Sequence, residues 1–203
     1  MTAQRRNALR QVAAQVSECR RCPGLNIPGE TESAPGFGNV GSPVVFLGQS
    51  LCRKCMKTQV PFTGGSGLLI DEILAKSGLR KQEVFVTNVV HCHPPDNRPS
   101  HAQEIANCEG HLHAELAIVQ PRLIVCLGKD AQAAASRWAA DRGLPWRPDL
   151  PASTRLALLF AYHPAYIRRR PAEERAAYAE YMVGAIRWAC GSRRSRRAAS
   201  TRQ

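Results

Sequence analysis

No stretch of this chain approaches the ~20 consecutive apolar residues that a membrane-spanning helix needs, so a helical membrane protein is excluded. Acid is scarce as well. Sixteen Asp and Glu stand against 28 Lys and Arg, a formal net charge of +12. That excess points to a polyanionic partner, with nucleic acid ahead of an anionic membrane surface. The opening segment, MTAQRRNALRQVAAQV, lacks the apolar core of a signal peptide. The expectation is a cytoplasmic protein with no membrane partner, in a compartment where thiols stay reduced.

Eight cysteines are present, and in a reducing compartment they call for metal or cluster ligation before disulfides. The ordinary alternative is a set of small buried hydrophobes. The 203 residues, 44% apolar with 14 prolines and 15 glycines, suit one domain with a substantial core. We expect that domain over residues 1–190. The remainder, 191–203, carries Arg193, Arg194, Arg196 and Arg197 with little to bury, and is expected to be a disordered basic tail.

The chain's centre of gravity is VFVTNVVHCHPPDNR, residues 84–98. β-formers run up to a double proline, which cannot continue a sheet. Asn88, His91, Cys92 and His93 stand where the strand stops, and the carboxyl ends of parallel strands are where ligands bind. Other continuously apolar strands are expected at 44–47, 123–127 and 156–160, ended by Gly48, Gly128 and the sequence Ala161-Tyr162-His163-Pro164. Helices are expected at 4–17, over LLIDEILAKSG before Gly78, at 101–119, at 129–140 and at 171–189, with a loop at 141–153. Strands alternating with helices give an α/β fold with a parallel sheet. The run Gly36-x-Gly38-x-x-Gly41 precedes a strand instead of following one, so it reads as turn glycines and not as a dinucleotide fingerprint.

The cysteine spacing leaves two tetrads open. Cys19, Cys22, Cys52 and Cys55 form two C-x2-C pairs, the usual zinc pattern. Such a site would suit a non-catalytic, zinc-containing DNA-binding protein. Cys19, Cys22, Cys92 and Cys108 would instead make an all-thiolate iron–sulfur site.

The order of pieces resembles the family 4 and related iron–sulfur uracil-DNA glycosylases: CRRC, strand-GQ, VPFTGG, TNVVHCHPPDNR, E-x3-C, strand-LG, YHPAY. The resemblance covers about residues 15–185. It implies a three-layer α/β/α sandwich with a four-stranded parallel sheet. It also implies a 4Fe-4S cluster on Cys19, Cys22, Cys92 and Cys108. The implied activity is hydrolysis of the N-glycosidic bond of deoxyuridine by a monofunctional enzyme. Uracil-containing DNA is then the partner, free uracil the product, and the setting a monomer on a prokaryotic nucleoid.

Residue by residue, the resemblance makes Gly48, Gln49, Phe62, Asn88 and His163 uracil-binding, with Gln49, Asn88 and His163 catalytic. Phe62 would stack on the base, although a lone Phe is ordinarily core. Asn88 would read it, since one amide offers a donor and an acceptor. His163 would donate to uracil O2 as charge builds on the leaving base. Tyr166, Ile167, Arg168, Arg169 and Arg170 would form an apolar wedge backed by cations, and Arg53 and Lys54 would grip phosphate. The chain departs from the family where Gln49 replaces Glu and cations replace an acidic loop, so no carboxylate is in evidence to orient water. Ala165 stands for the third motif's Ser. No role is assigned to Cys52, Cys55, Cys126 and Cys190.

Overall fold

The computed structural model describes residues 2–144, 146–147 and 155–200, with side chains described over 3–144 and 155–191. In chain order the elements are α1 (Thr2–Ser17), β1 (Phe37–Gly38), β2 (Val44–Ser50), α2 (Arg53–Thr58), α3 (Gly67–Lys76), β3 (Phe85–Val90) and α4 (Ala102–Val119). There follow β4 (Leu123–Leu127), α5 (Lys129–Asp141), β5 (Trp146–Arg147), β6 (Leu156–Ala161), α6 (Pro164–Ile167) and α7 (Ala172–Ser200).

The strands lie in the order β1-β3-β2-β4-β6-β5. The expected four form the parallel centre, β3-β2-β4-β6. Two-residue strands extend it, β1 antiparallel beside β3 and β5 parallel beside β6. The sheet therefore has six strands where four were expected. The additions are too short to carry any periodicity.

Burial on both faces explains why β4, β6 and the first half of β2 read as unbroken apolar runs. Within β2, Val44 and Phe46 face one core with Leu69, Ile70, Ile73 and Leu74 of α3 and Met182 and Ile186 of α7. Val45 and Leu47 face the other, with Leu112, Leu116 and Val119 of α4 and Ala134, Ala135 and Trp138 of α5. Helix α1 packs on the outside of α4. The three-layer expectation holds, and it brings Gly48, Asn88, Gly128 and His163 to one edge.

The glycine run before β2 behaves as turns. Gly38 has φ +117, and a Cβ there would sit 2.0 Å from the Val84 carbonyl oxygen.

The tail expected to be disordered from residue 191 is helical in its backbone to Ser200. Alanine and arginine are strong helix formers, and extending an existing helix needs no new nucleus. Residues 201–203, and most of the loop expected at 141–153, lie outside the described residues. None of the described helices is long and apolar enough to cross a membrane.

Candidate active site and thiol cluster

Two constellations meet at the carboxyl edge of the sheet. The first is a pocket around Gly48, which pairs in register with Asn88. A Cβ on Gly48 would lie 2.5 Å from Phe62 Cζ and 2.7 Å from Asn88 Oδ1. Ring, amide and bare backbone are thus in close contact, and only glycine leaves room for them.

Asn88 is buried, yet its side-chain amide makes no hydrogen bond within the described residues. A buried amide ordinarily has partners. This one is held open within β3, two residues before the strand ends.

Phe62 is buried at φ +59, a conformation that costs an aromatic residue on the order of 1–3 kcal/mol and persists only when its surroundings fix it. Lys81 supplies a strut. Its ammonium donates to the Phe62 carbonyl at 2.7 Å and pairs with Asp71 at 2.9 Å.

His163 follows β6 and caps α6. Its Nδ1 accepts from the Ala165 N–H at 3.2 Å. The ring proton of the neutral imidazole therefore sits on Nε2, which remains free to donate. Burial holds its pKa below the usual histidine value, which keeps the ring neutral at pH 7. The Cβ position of Gly128 lies 3.8 Å from His163 Cβ, so β4 and β6 deliver these residues side by side.

Gln49, next to Gly48, donates through Nε2 to Asp130 Oδ2. Asp130 stands in the first turn of α5. Sequence reasoning missed it, because the partners lie 81 positions apart and an acid at a helix start reads as a generic cap.

The second constellation is a small hollow lined by Cys19, Cys22, Cys92 and Cys108 with Leu25, Asn26 and Val90. Asn26 organises the first knuckle. Its side-chain N–H groups donate to the carbonyls of Val16, Ser17 and Cys19, and its oxygen accepts from the Ser33 N–H.

Burial, with Cys108, Cys19 and Cys22 close by, pushes the Cys92 thiol up to about 12. Burial raises Cys22 as well, again with Cys108 and Cys19 adding to it. Thiols raised in this way, Cys22 and Cys92, ionise readily only where a cationic centre binds them. The donor set, soft and all-sulfur, fits an iron–sulfur cluster.

The alternative zinc tetrad does not assemble. Against the expectation of reduced thiols, Cys52 and Cys55 are disulfide-bonded to each other, packed with Ala34, Leu51 and Met56. Among the described residues, no three His, Cys, Asp or Glu side chains gather as ligands for a single metal ion. Cys126 is buried in β4, and Cys190 is half-buried.

Behind Cys108 runs a buried polar chain. The His91 N–H donates to Cys108 Sγ at 3.3 Å, and its Nδ1 lies 3.1 Å from the same sulfur. Its Nε2 faces Glu115 at 3.2 Å. Glu115, fully buried, also accepts from the Thr87 hydroxyl at 2.5 Å and the Gly36 N–H at 2.7 Å. Burial alone would raise this carboxyl. The charge and hydrogen bond of His91, with those from Thr87 and Gly36, outweigh it and hold Glu115 below the usual range. Its sequence signal was an acid at core spacing between Leu112 and Val119. His93 is also buried, its Nδ1–H donating to the Leu51 carbonyl at 3.0 Å.

The expected wedge is different in kind. Ile167 is 4% exposed and belongs to the core, because the single turn of α6 points it inward. Tyr162 and Tyr166 are the exposed pair, at 67% and 49%, with ring centroids 5.1 Å apart. Arg170 packs over Tyr166 and bonds Glu174 at 2.8 Å. Arg168 and Arg169 are exposed. On α2, Arg53 and Lys54 are exposed as expected. Arg53 shares an open groove with Lys57, His93 and Asp96.

Residues 35–186 match the family described as the uracil DNA glycosylase superfamily. A type-4 uracil-DNA glycosylase of Archaeoglobus fulgidus is 36% identical over 124 residues, 61% of this chain and 61% of that protein. One of Thermotoga maritima is 38% identical over 120 residues, 59% and 62% of the two chains. Another, of Pyrobaculum aerophilum, is 29% identical over 172 residues, 81% and 86%. The match thus spans less than two thirds of the Archaeoglobus and Thermotoga proteins.

Proposed function

The chain belongs to the uracil DNA glycosylase superfamily, and on that premise we propose that it hydrolyses the N-glycosidic bond of deoxyuridine in DNA. The products are free uracil and an abasic site. The observation that carries this reading is the buried Asn88 side chain, its amide without a hydrogen bond among the described residues, set against Gly48 and the Phe62 ring.

A base inside a duplex cannot reach such a pocket, so the nucleotide must swing out of the stack. Phe62 then lies against the extruded ring. Asn88 offers a donor to uracil O4 and an acceptor to N3–H. Cytosine presents the opposite pattern at these atoms and is refused, because an unpaired buried polar group costs about 1–3 kcal/mol. The C1′–N1 bond breaks with its electron pair leaving on the base. His163 Nε2–H donates to O2 and stabilises that anion. Water adds to C1′ with Gln49 beside it, and its proton passes to solvent.

Exposed Tyr166 and Tyr162, with Arg168 and Arg169, suit the opened base step, and Arg53 and Lys54 suit the phosphates. Arg170 steadies Tyr166. Cys19, Cys22, Cys92 and Cys108 would hold the 4Fe-4S cluster, which supplies a structural tie between the α1 knuckle, the exit of β3 and α4. We place the protein in the cytoplasm, acting as a monomer on uracil-containing DNA.

The test is a fluorescent oligonucleotide carrying one deoxyuridine, incubated with the protein and then cleaved at abasic sites with alkali. Strand cleavage by the wild type, lost in Asn88→Ala and His163→Ala, is the expected result. No cleavage of single or double strands by folded, iron-loaded protein refutes the reading.

A further inference from the structure

We propose that Asp130 is a positioning residue for the attacking water and acts through Gln49. The inference rests on the uracil-releasing reading above.

Hydrolysis of a glycosidic bond needs a group that accepts a hydrogen bond from the incoming water and so aims its oxygen at C1′. A glutamine side chain serves only if its carbonyl end faces the water, since its amino end can only donate. Free in solvent, it presents either end. In this protein the choice is made. Gln49 Nε2 donates to Asp130 Oδ2, and an ionised carboxylate has nothing to donate in return. The amino end is therefore committed to Asp130. The carbonyl Oε1 takes no protein partner among the described residues.

Asp130 is free for this task. Its neighbours across the hollow between α4 and α5 include Arg137 and Glu109, and those two bond each other at 2.8 Å. Gln49 is the only side-chain partner of Asp130 among the described residues. Its place in the first turn of α5 favours an anion. Residue and partner come from adjacent strand ends, since β2 and β4 pair through Leu47 and Cys126. A charge on one side of an amide also polarises it, making the opposite oxygen a stronger acceptor. The chain thus keeps an acid in the site one hydrogen bond further back, with an amide as its extension. In the reaction, water's oxygen bonds to C1′ as the C1′–N1 electron pair departs on uracil. The water proton is lost past Oε1 to solvent.

The experiment is single-turnover cleavage of the deoxyuridine oligonucleotide by wild type, Asp130→Asn, Gln49→Glu and the double variant, with thermal midpoints recorded for each. Asp130→Asn, whose amide permits either orientation of Gln49, is expected to slow the saturated rate about thirtyfold while the DNA concentration for half-saturation changes less than about twofold. Gln49→Glu sets two carboxylates against each other and is expected to slow it similarly. In the double variant the new amide at position 130 donates to the new carboxylate at position 49, and the rate is expected to return to within about fivefold of wild type.

A wild-type rate in Asp130→Asn, or two losses that simply multiply in the double variant, overturns the proposal. Should Asp130→Asn fail to fold, the ratio of double variant to Gln49→Glu decides it, recovery supporting the pair and none refuting it. A folded wild type that releases no uracil overturns the functional reading and this inference with it. An active wild type with indifferent variants overturns the inference alone.

Discussion

Replacing Gly48 by alanine probes the proposed base pocket. The new methyl carbon would meet Phe62 Cζ at 2.5 Å and Asn88 Oδ1 at 2.7 Å, where ordinary contact begins at 3.4 Å. Something must retreat by roughly 0.9 Å, since the repulsive wall is steep. Neither neighbour has much freedom. The Phe62 backbone is held by Lys81, and Asn88 sits within β3. Overpacking of this kind costs about 1–3 kcal/mol, which for a chain of this size lowers the thermal midpoint by roughly 2–12 °C. The effect on chemistry is larger. A displacement near 1 Å in a positioning group costs about a hundredfold in rate. Single-turnover cleavage at saturating DNA, set beside the melting curve, separates the two effects. A folded Gly48→Ala protein that cleaves at the wild-type rate would mean that ring and amide do not grip the base together.

Five further outcomes are expected. Glu115→Ala strands the Gly36 N–H, the Thr87 hydroxyl and the His91 ring. Breaking a buried pair costs about 3–5 kcal/mol, so the midpoint should fall by roughly 6–20 °C, and a shift within error would contradict the polar chain. Glu115 also sets a pH dependence. Its folded pKa lies below the reference value of 4.5, so its contribution is present above that value and is lost as pH falls through the folded one. Urea midpoints measured from pH 6 to pH 3 should therefore fall more steeply in wild type than in Glu115→Gln. Cys108→Ser should lose iron and visible absorbance while Cys52→Ser keeps both; equal iron in the two would undo the assignment of the tetrad. Tyr166→Ala should weaken DNA binding with the midpoint unchanged. Ile167→Ala should cost about 2–5 kcal/mol of stability at unchanged affinity, and the reverse pattern would restore Ile167 as the wedge.

Three of the four central strands were legible as apolar runs that two-sided burial leaves almost free of polar residues, and β3, which carries Thr87 and Asn88, was legible from its β-formers and the prolines after it. Val44, Leu123 and Leu156 open their strands where the apolar runs begin. Helix α2 was not legible, since RKCMKT offers no apolar period over six residues. In the site, the expected strand ends were the visible signal, although β2 and β3 run two residues past Gly48 and Asn88, which lie in register toward the edge where His163 follows β6. What stayed hidden depended on directions that a sequence does not state. Ile167 reads as a wedge beside three arginines, yet one turn of helix rotates it into the core and leaves the tyrosines outside. The link between Gln49 and Asp130 crosses from one strand to the helix after another. The arginine tail reads as disorder from its lack of apolar residues, whereas continuity with α7 carries its backbone as helix.

The strut from Lys81 to the Phe62 carbonyl bears on speed of recognition. A stacking loop that had to find its bent shape at each encounter would lose about 1–2 kcal/mol per residue ordered, every time a damaged site was met. With the unusual backbone angle fixed during folding, that loss falls once in the life of the molecule. On the proposed function, each encounter with DNA then meets a platform already in position.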